Sequence, residues 1–221
     1  MKKGGVFALC MVFHAVLLFG AENGIEDIFQ YPLRDESKNR FLELCSRLSE
    51  HPVIKGSFEQ KKTLSKLNRS LVSRGNFIID AENGMVWDTL KPFPSTMAVG
   101  KDFMVQFRPG RPKTVLDARG NETFLRLAEL ISAVFTGKPE TLLKNFKVYF
   151  LELNGAWHIG LLPLDASVSI FASSIVMKGE KVLESIYMRE QSGDSIEYSL
   201  FDHYFPPALT DDEKTYFSLN Q

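Results

Sequence analysis

From Val53 onward, apolar and polar side chains alternate with a period of two, in segment after segment. Ile54, Gly56, Phe58 and Gln60 fall on one side, and Val53, Lys55, Ser57, Glu59 and Lys61 on the other. Such a pattern belongs to strands with one face on a core and the other toward water. A second strand is predicted over 70–80, with Leu71, Ser73, Gly75, Phe77 and Ile79 opposite Val72, Arg74, Asn76 and Ile78. Asn83-Gly84 is a strong hairpin signal, and it leads into a strand over 85–90 closed by Pro92 and Pro94. Further strands are predicted at 95–99, 102–108 and 112–116, then at 146–153, 156–162, 167–177, 181–190 and 194–202. Short turns such as Asn154-Gly155, Lys178-Gly179-Glu180 and Ser192-Gly193-Asp194 join the later ones, so the expected topology is an antiparallel meander.

Helical spacing interrupts the alternation in few places. Phe41, Leu42, Cys45 and Leu48 predict a helix over 38–50, capped by Asp35 or Ser37 and ended by Pro52. Phe124, Leu127, Ala128, Ile131 and Phe135 predict an amphipathic helix over 121–135, stopped by Gly137. Pro139 starts a shorter helix running to about Phe146, and Thr210 with Glu213 forms a capping box near the C-terminus. No internal repeat or linker divides residues 22–221, which are read as one domain.

Met1-Lys2-Lys3, the apolar run Val6 to Phe19, and the small pair Gly20-Ala21 make residues 1–21 a secretory signal peptide. An uncleaved N-terminal anchor is the alternative. Cys10 lies inside the apolar run, so signal removal leaves only Cys45 and no internal disulfide. Cys45 belongs to the apolar stripe of its helix and is expected to be a buried thiol. With 26 basic and 27 acidic residues and no basic stripe along the chain, there is no case for nucleic acid. The 18 phenylalanines are spread along the chain, which implies either a large core or an apolar cavity.

Outside the signal, the histidines are His51, His158 and His203, without metal-ligand spacing, and one cysteine cannot complete a zinc site. No nucleophile elbow or phosphate loop occurs. Asp202 and His203 are adjacent in a strand and point to opposite faces, a poor acid–base arrangement. The expectation is a protein without catalytic residues, metal or cofactor.

Ser57-Phe58-Glu59-Gln60-Lys61, the spacing of Gly75, Trp87 and Pro92, the pair Gly100-Lys101, and Trp157 with Leu161 and Pro163 resemble, in this order, motifs of the outer-membrane lipoprotein carrier family, LolA. The resemblance implies a mainly β fold with some α: an unclosed antiparallel β-barrel, or half-barrel, of about eleven strands, with helices covering the open side. It implies a periplasmic carrier that shelters the acyl chains of lipoproteins, or of another lipid, for transfer toward the outer membrane. Its implied partners are an acylated lipoprotein or lipid cargo, an inner-membrane release complex and an outer-membrane acceptor; the expected form is a monomer. A half-barrel sensor that binds lipid or lipoprotein and regulates a partner protein is the alternative.

On this reading Phe58, Phe77, Ile79, Trp87, Phe103, Val105, Phe107, Phe150, Trp157 and Ile159 line the concave wall, and Phe124, Leu127, Ile131 and Phe135 form the lid. The family carries an Arg-Pro between its second and third strands, where the arginine helps govern the lid. Counting back from Trp87 puts Ala81-Glu82 there, and Arg74 lies elsewhere on the hairpin. Periodicity alone does not separate a filled interior from a fillable one.

Overall fold

A computed structural model describes residues 27–117, 129–130, 132–170 and 172–218. The expected signal peptide and the expected lid residues Phe124, Leu127 and Ile131 lie outside the described residues. Among those described, no helix is long and apolar enough to cross a membrane.

The alternating segments form one antiparallel sheet of eleven strands, which does not close. In chain order these are β1 (Val53–Leu64), β2 (Arg69–Asp80), β3 (Gly84–Lys91), β4 (Ser95–Val99), β5 (Phe103–Phe107), β6 (Thr114–Asp117), β7 (Phe146–Leu153), β8 (Ala156–Pro163), β9 (Ser174–Gly179), β10 (Leu183–Arg189) and β11 (Ser195–Tyr204). Two meanders, β1 to β6 and β7 to β11, join where β1 pairs with β11. The outermost strands are β6 and β7, which are consecutive in the chain. Residues 118–145 therefore connect the two free edges of the sheet.

Helix α1 (Asp35–Leu48) turns Phe41, Cys45 and Leu48 inward as expected, but the fourth buried residue is Leu44, and Leu42 is only half-buried at the edge of the stripe. Its cap differs from the expectation. Arg34 occupies the N-cap, and Ser37 reaches back from the third helical position to accept a hydrogen bond from the Arg34 N–H at 3.1 Å. A second helical stretch, 129–130 and 132–136, ends at Gly137. That glycine has φ +62°, and a Cβ there would lie 3.1–3.2 Å from Leu48 and Cys45 of α1. The two helices thus touch where the chain turns. A short helix follows at Pro139–Asn145.

The sequence expectation of a strand over 167–177 is too long. Ala166–Ser169 is a helical turn, whose start is fixed by the Asp165 carboxylate accepting from the Val168 N–H, and β9 begins at Ser174. The convex face is also not uniformly wet. Lys55, on the polar side of β1, is buried because the C-terminal turn (Asp211–Lys214) covers it and supplies Glu213, whose carboxylate accepts from Lys55 Nζ at 2.5 and 2.6 Å. At the other end of the sheet, the turn Asp27–Gln30 sets Ile28 and Phe29 on Tyr149 and Val176.

Candidate functional site

Pairing register determines which side chains share the concave face. Across β1, β2 and β3 the rows are Ile54, Ile79, Met85 and Gly56, Phe77, Trp87. In the second meander Phe150, Ile159, Met177, Ile186 and Tyr198 line up, and Tyr198 pairs onward with Gln60 of β1. Of the expected wall residues, Phe58, Phe77, Ile79, Trp87, Phe150, Trp157 and Ile159 lie on this face and are buried in its core.

Phe103, Val105 and Phe107 do not. Val99 pairs with Met104 and Met97 with Gln106, so the inward residues of β5 are Met104 and Gln106. Val105 instead continues the convex row of Val86 and Ala98, all three fully buried. Alternation shows that Phe103, Val105 and Phe107 share a face, but the turn at Gly100 decides which one; the Gly100 N–H donates to the Phe103 carbonyl at 2.9 Å.

The concave face is covered in two ways. Under α1 it is filled: Phe41 meets Phe150 edge-on at 5.8 Å between ring centroids, and Leu44, Cys45, Trp157 and Ile159 are all at most 1% exposed. Under the second helical stretch the described residues leave it open. There Leu130, Val134 and Phe135 roof a cavity of about 340 Å³ whose floor includes Met85, Trp87, Met97, Ile186 and Met188. Two smaller cavities adjoin. One of about 220 Å³ lies toward Ala81 and Gly100, and one of about 200 Å³ toward His51 and His203. Phe135, the one expected lid residue among those described, lines all three.

Trp87 is the centre of the aromatic wall. It stacks on Phe58 at 4.2 Å, lies 5.9 Å from Phe77 and 6.2 Å from Phe135, and meets Tyr198 edge-on at 5.2 Å. The cavity's polar groups are few: Gln60, the Tyr198 hydroxyl, and the Trp87 indole N–H, which has no hydrogen-bond partner among the described residues. Burial, with Glu190 adding to it, pushes the Tyr198 phenol up to about 12, so it stays a neutral hydroxyl. Sequence reasoning named Trp87 and Phe135 of this lining and missed Met85, Met97, Met188, Gln60 and Tyr198. Met85 was accessible, since it lies two residues from Trp87 on one strand.

The titratable groups are dispersed. His51 stacks on Phe205 at 4.0 Å, His203 lies 5.6 Å from Phe77, and His158 is on the convex side beside Lys178. Burial lowers the pKa of His158, and Lys178 lowers it further. Burial, helped by Glu140, raises the Cys45 thiol to about 12 and keeps it protonated. No cluster of metal-ligating side chains occurs among the described residues. Ala81 donates its N–H to the Pro52 carbonyl at 2.9 Å, in a turn held by the Asp80 carboxylate.

No protein-family model matches the sequence, and no curated protein matches it. Among solved structures, similar folds include a LolA superfamily protein from Nitrosomonas europaea, with 8% identity, TM-score 0.43, and 79% of this chain and 95% of that one covered. A DUF1329 family protein from Desulfovibrio piger has 10% identity and TM-score 0.47, over 84% of this chain and 98% of that one. Mycobacterium tuberculosis lipoprotein LppX has 10% identity and TM-score 0.44, over 80% and 100%. The likeness concerns backbone arrangement alone.

Proposed function

We propose that the protein is a non-catalytic carrier, exported to the periplasm, that shelters the acyl chains of lipoproteins or of another lipid for transfer toward the outer membrane. The observation that carries this reading is the unfilled apolar cavity beneath Leu130, Val134 and Phe135. Protein interiors are close-packed, so a void of this size is costly unless something occupies it. Its volume lies at the low end of the ~300–1,000 Å³ of small-ligand sites. Burying each acyl methylene contributes roughly 0.8 kcal/mol, so even a short chain gains by entering. Release is helped by the lining: Met85, Met97 and Met188 are flexible side chains that repack without a fixed shape. This reading requires a release complex at the inner membrane and an acceptor at the outer one. It gives Phe124, Leu127, Ile131 and Phe135 the role of a cover.

The two tryptophans offer a direct test, because Trp87 lines the cavity while Trp157 is fully buried in the filled region. A fatty acid brominated along its chain should quench Trp87 fluorescence saturably. Quenching should persist in Trp157→Phe and disappear in Trp87→Phe. Lipid should also be recovered by mass spectrometry from natively purified protein. Absence of both quenching and co-purified lipid overturns the reading.

A further inference from the structure

The strand ends divide the charges of the first meander unevenly. On one rim lie the β1–β2, β3–β4 and β5–β6 connections, and residues 60–79, 89–101 and 103–116 contain no carboxylate at all. Lys61, Lys66, Arg69, Lys91 and Arg111 all lie at this rim and make no ion pair among the described residues. Three nearby carboxylates are engaged, Glu59 by Arg74, Glu190 by Lys62, and Asp194 by the N–H and hydroxyl of Ser65, while Glu197 stands opposite Lys61 across the β1–β11 pairing. The opposite rim carries Asp80, Glu82 and Asp102.

The basic rim is also apolar where β2 overhangs β3. β3 pairs with β2 only as far as Arg74–Lys91, so Arg69–Ser73 runs on with β1 alone, about 16 Å beyond its neighbour at ~3.3 Å per residue. On this overhang Leu67 is 64% and Leu71 58% exposed, and Phe93 on the adjacent connection is 81% exposed. Leu71 is paired with Lys62 on one face, and Val72 with Lys61 on the other. Both faces of the tip therefore present an aliphatic side chain, and the unpaired cations Lys66 and Arg69 stand at its end.

We propose that this rim is a docking surface for an anionic phospholipid bilayer, with the β1–β2 tip entering the headgroup layer. A protein partner would cover one face of the hairpin and leave the other wet. A membrane takes in both faces of the tip: the leucines enter the acyl boundary, and Lys66 and Arg69 extend to the phosphates. The proposal does not depend on what the cavity holds.

Flotation of the full-length mature protein with phosphatidylcholine vesicles, with and without about 30% phosphatidylglycerol, tests it. Binding should require the anionic lipid and weaken strongly as salt rises from ~0.1 to ~1 M. Each surface cation is worth roughly a 5-fold change in membrane affinity, so Lys66→Ala/Arg69→Ala should bind about 30-fold more weakly. Leu67→Ser/Leu71→Ser should also weaken binding, while both variants keep the tryptophan quenching by brominated fatty acid. No binding to either vesicle, as expected if the rim meets an acidic protein instead, overturns the proposal. So does binding that is indifferent to phosphatidylglycerol or unchanged in Lys66→Ala/Arg69→Ala.

Discussion

One sheet face is covered by two helices, and the coverings differ. α1 fills the space beneath it with Phe41, Leu44, Cys45 and Leu48, whereas the 129–136 helix leaves a cavity beneath Leu130 and Val134. The strands present comparable rows to both, Phe150 and Ile159 to one and Met85 and Met188 to the other. Whether a half-barrel is a solid core or a container is therefore set by the covering element. α1 stabilises the fold, and the second helix leaves room for a guest.

The largest effect should come from emptying the filled region. Phe41→Ala should cost about 3–5 kcal/mol in urea unfolding, because the site is fully buried and closely packed. A loss below ~1 kcal/mol would mean that α1 is as loosely seated as its neighbour.

The convex face provides a reference outside both regions. Glu213→Ala leaves the buried Lys55 ammonium unpaired and should cost about 2–3 kcal/mol, less than a wholly buried pair because Glu213 keeps 20% of its side chain exposed. Burial opposes the charge on Glu213, but hydrogen bonds from Lys55 and Thr210 outweigh it and hold the carboxyl below its ordinary 4.5. The stabilisation is thus present above pH 4.5 and lost as pH falls through the lower folded value. Unfolding midpoints across that range should fall in the native protein, and this part of the fall should be absent in Glu213→Ala.

Val134→Trp places a large side chain into the cavity. Overpacking a solid core costs ~1–3 kcal/mol, but here the void accepts the ring, so the change should stay within about 1 kcal/mol. The same substitution should weaken brominated fatty acid binding at least ~10-fold, since the guest and the indole compete for one volume. Unchanged binding would move the guest elsewhere in the molecule.

The smallest signal is kinetic. Cys45, at 1% exposure and with its thiol raised to about 12, should resist alkylation until the domain unfolds, at the rate of global opening. Labelling that a fatty acid slows would show instead that α1 moves together with the second helix.

Local pattern alone was enough for most of the strands and turns, for Phe41, Cys45 and Leu48 of the α1 stripe, and for the shared face of Phe58, Phe77 and Trp87, because periods of two and 3.6 are written in neighbouring residues. Three things waited for the tertiary structure. Phe103, Val105 and Phe107 turned outward because alternation is unchanged when a strand flips, and only pairing with β4 breaks that symmetry. The cavity is a difference between what the sheet offers and what a helix far along the chain fills, and no local pattern encodes a difference. Lys66, Lys91 and Arg111 are scattered in a chain whose charges nearly cancel, yet successive hairpins return them to one rim. Antiparallel folding sorts charges by strand end, and that sorting exists only once the strands have paired.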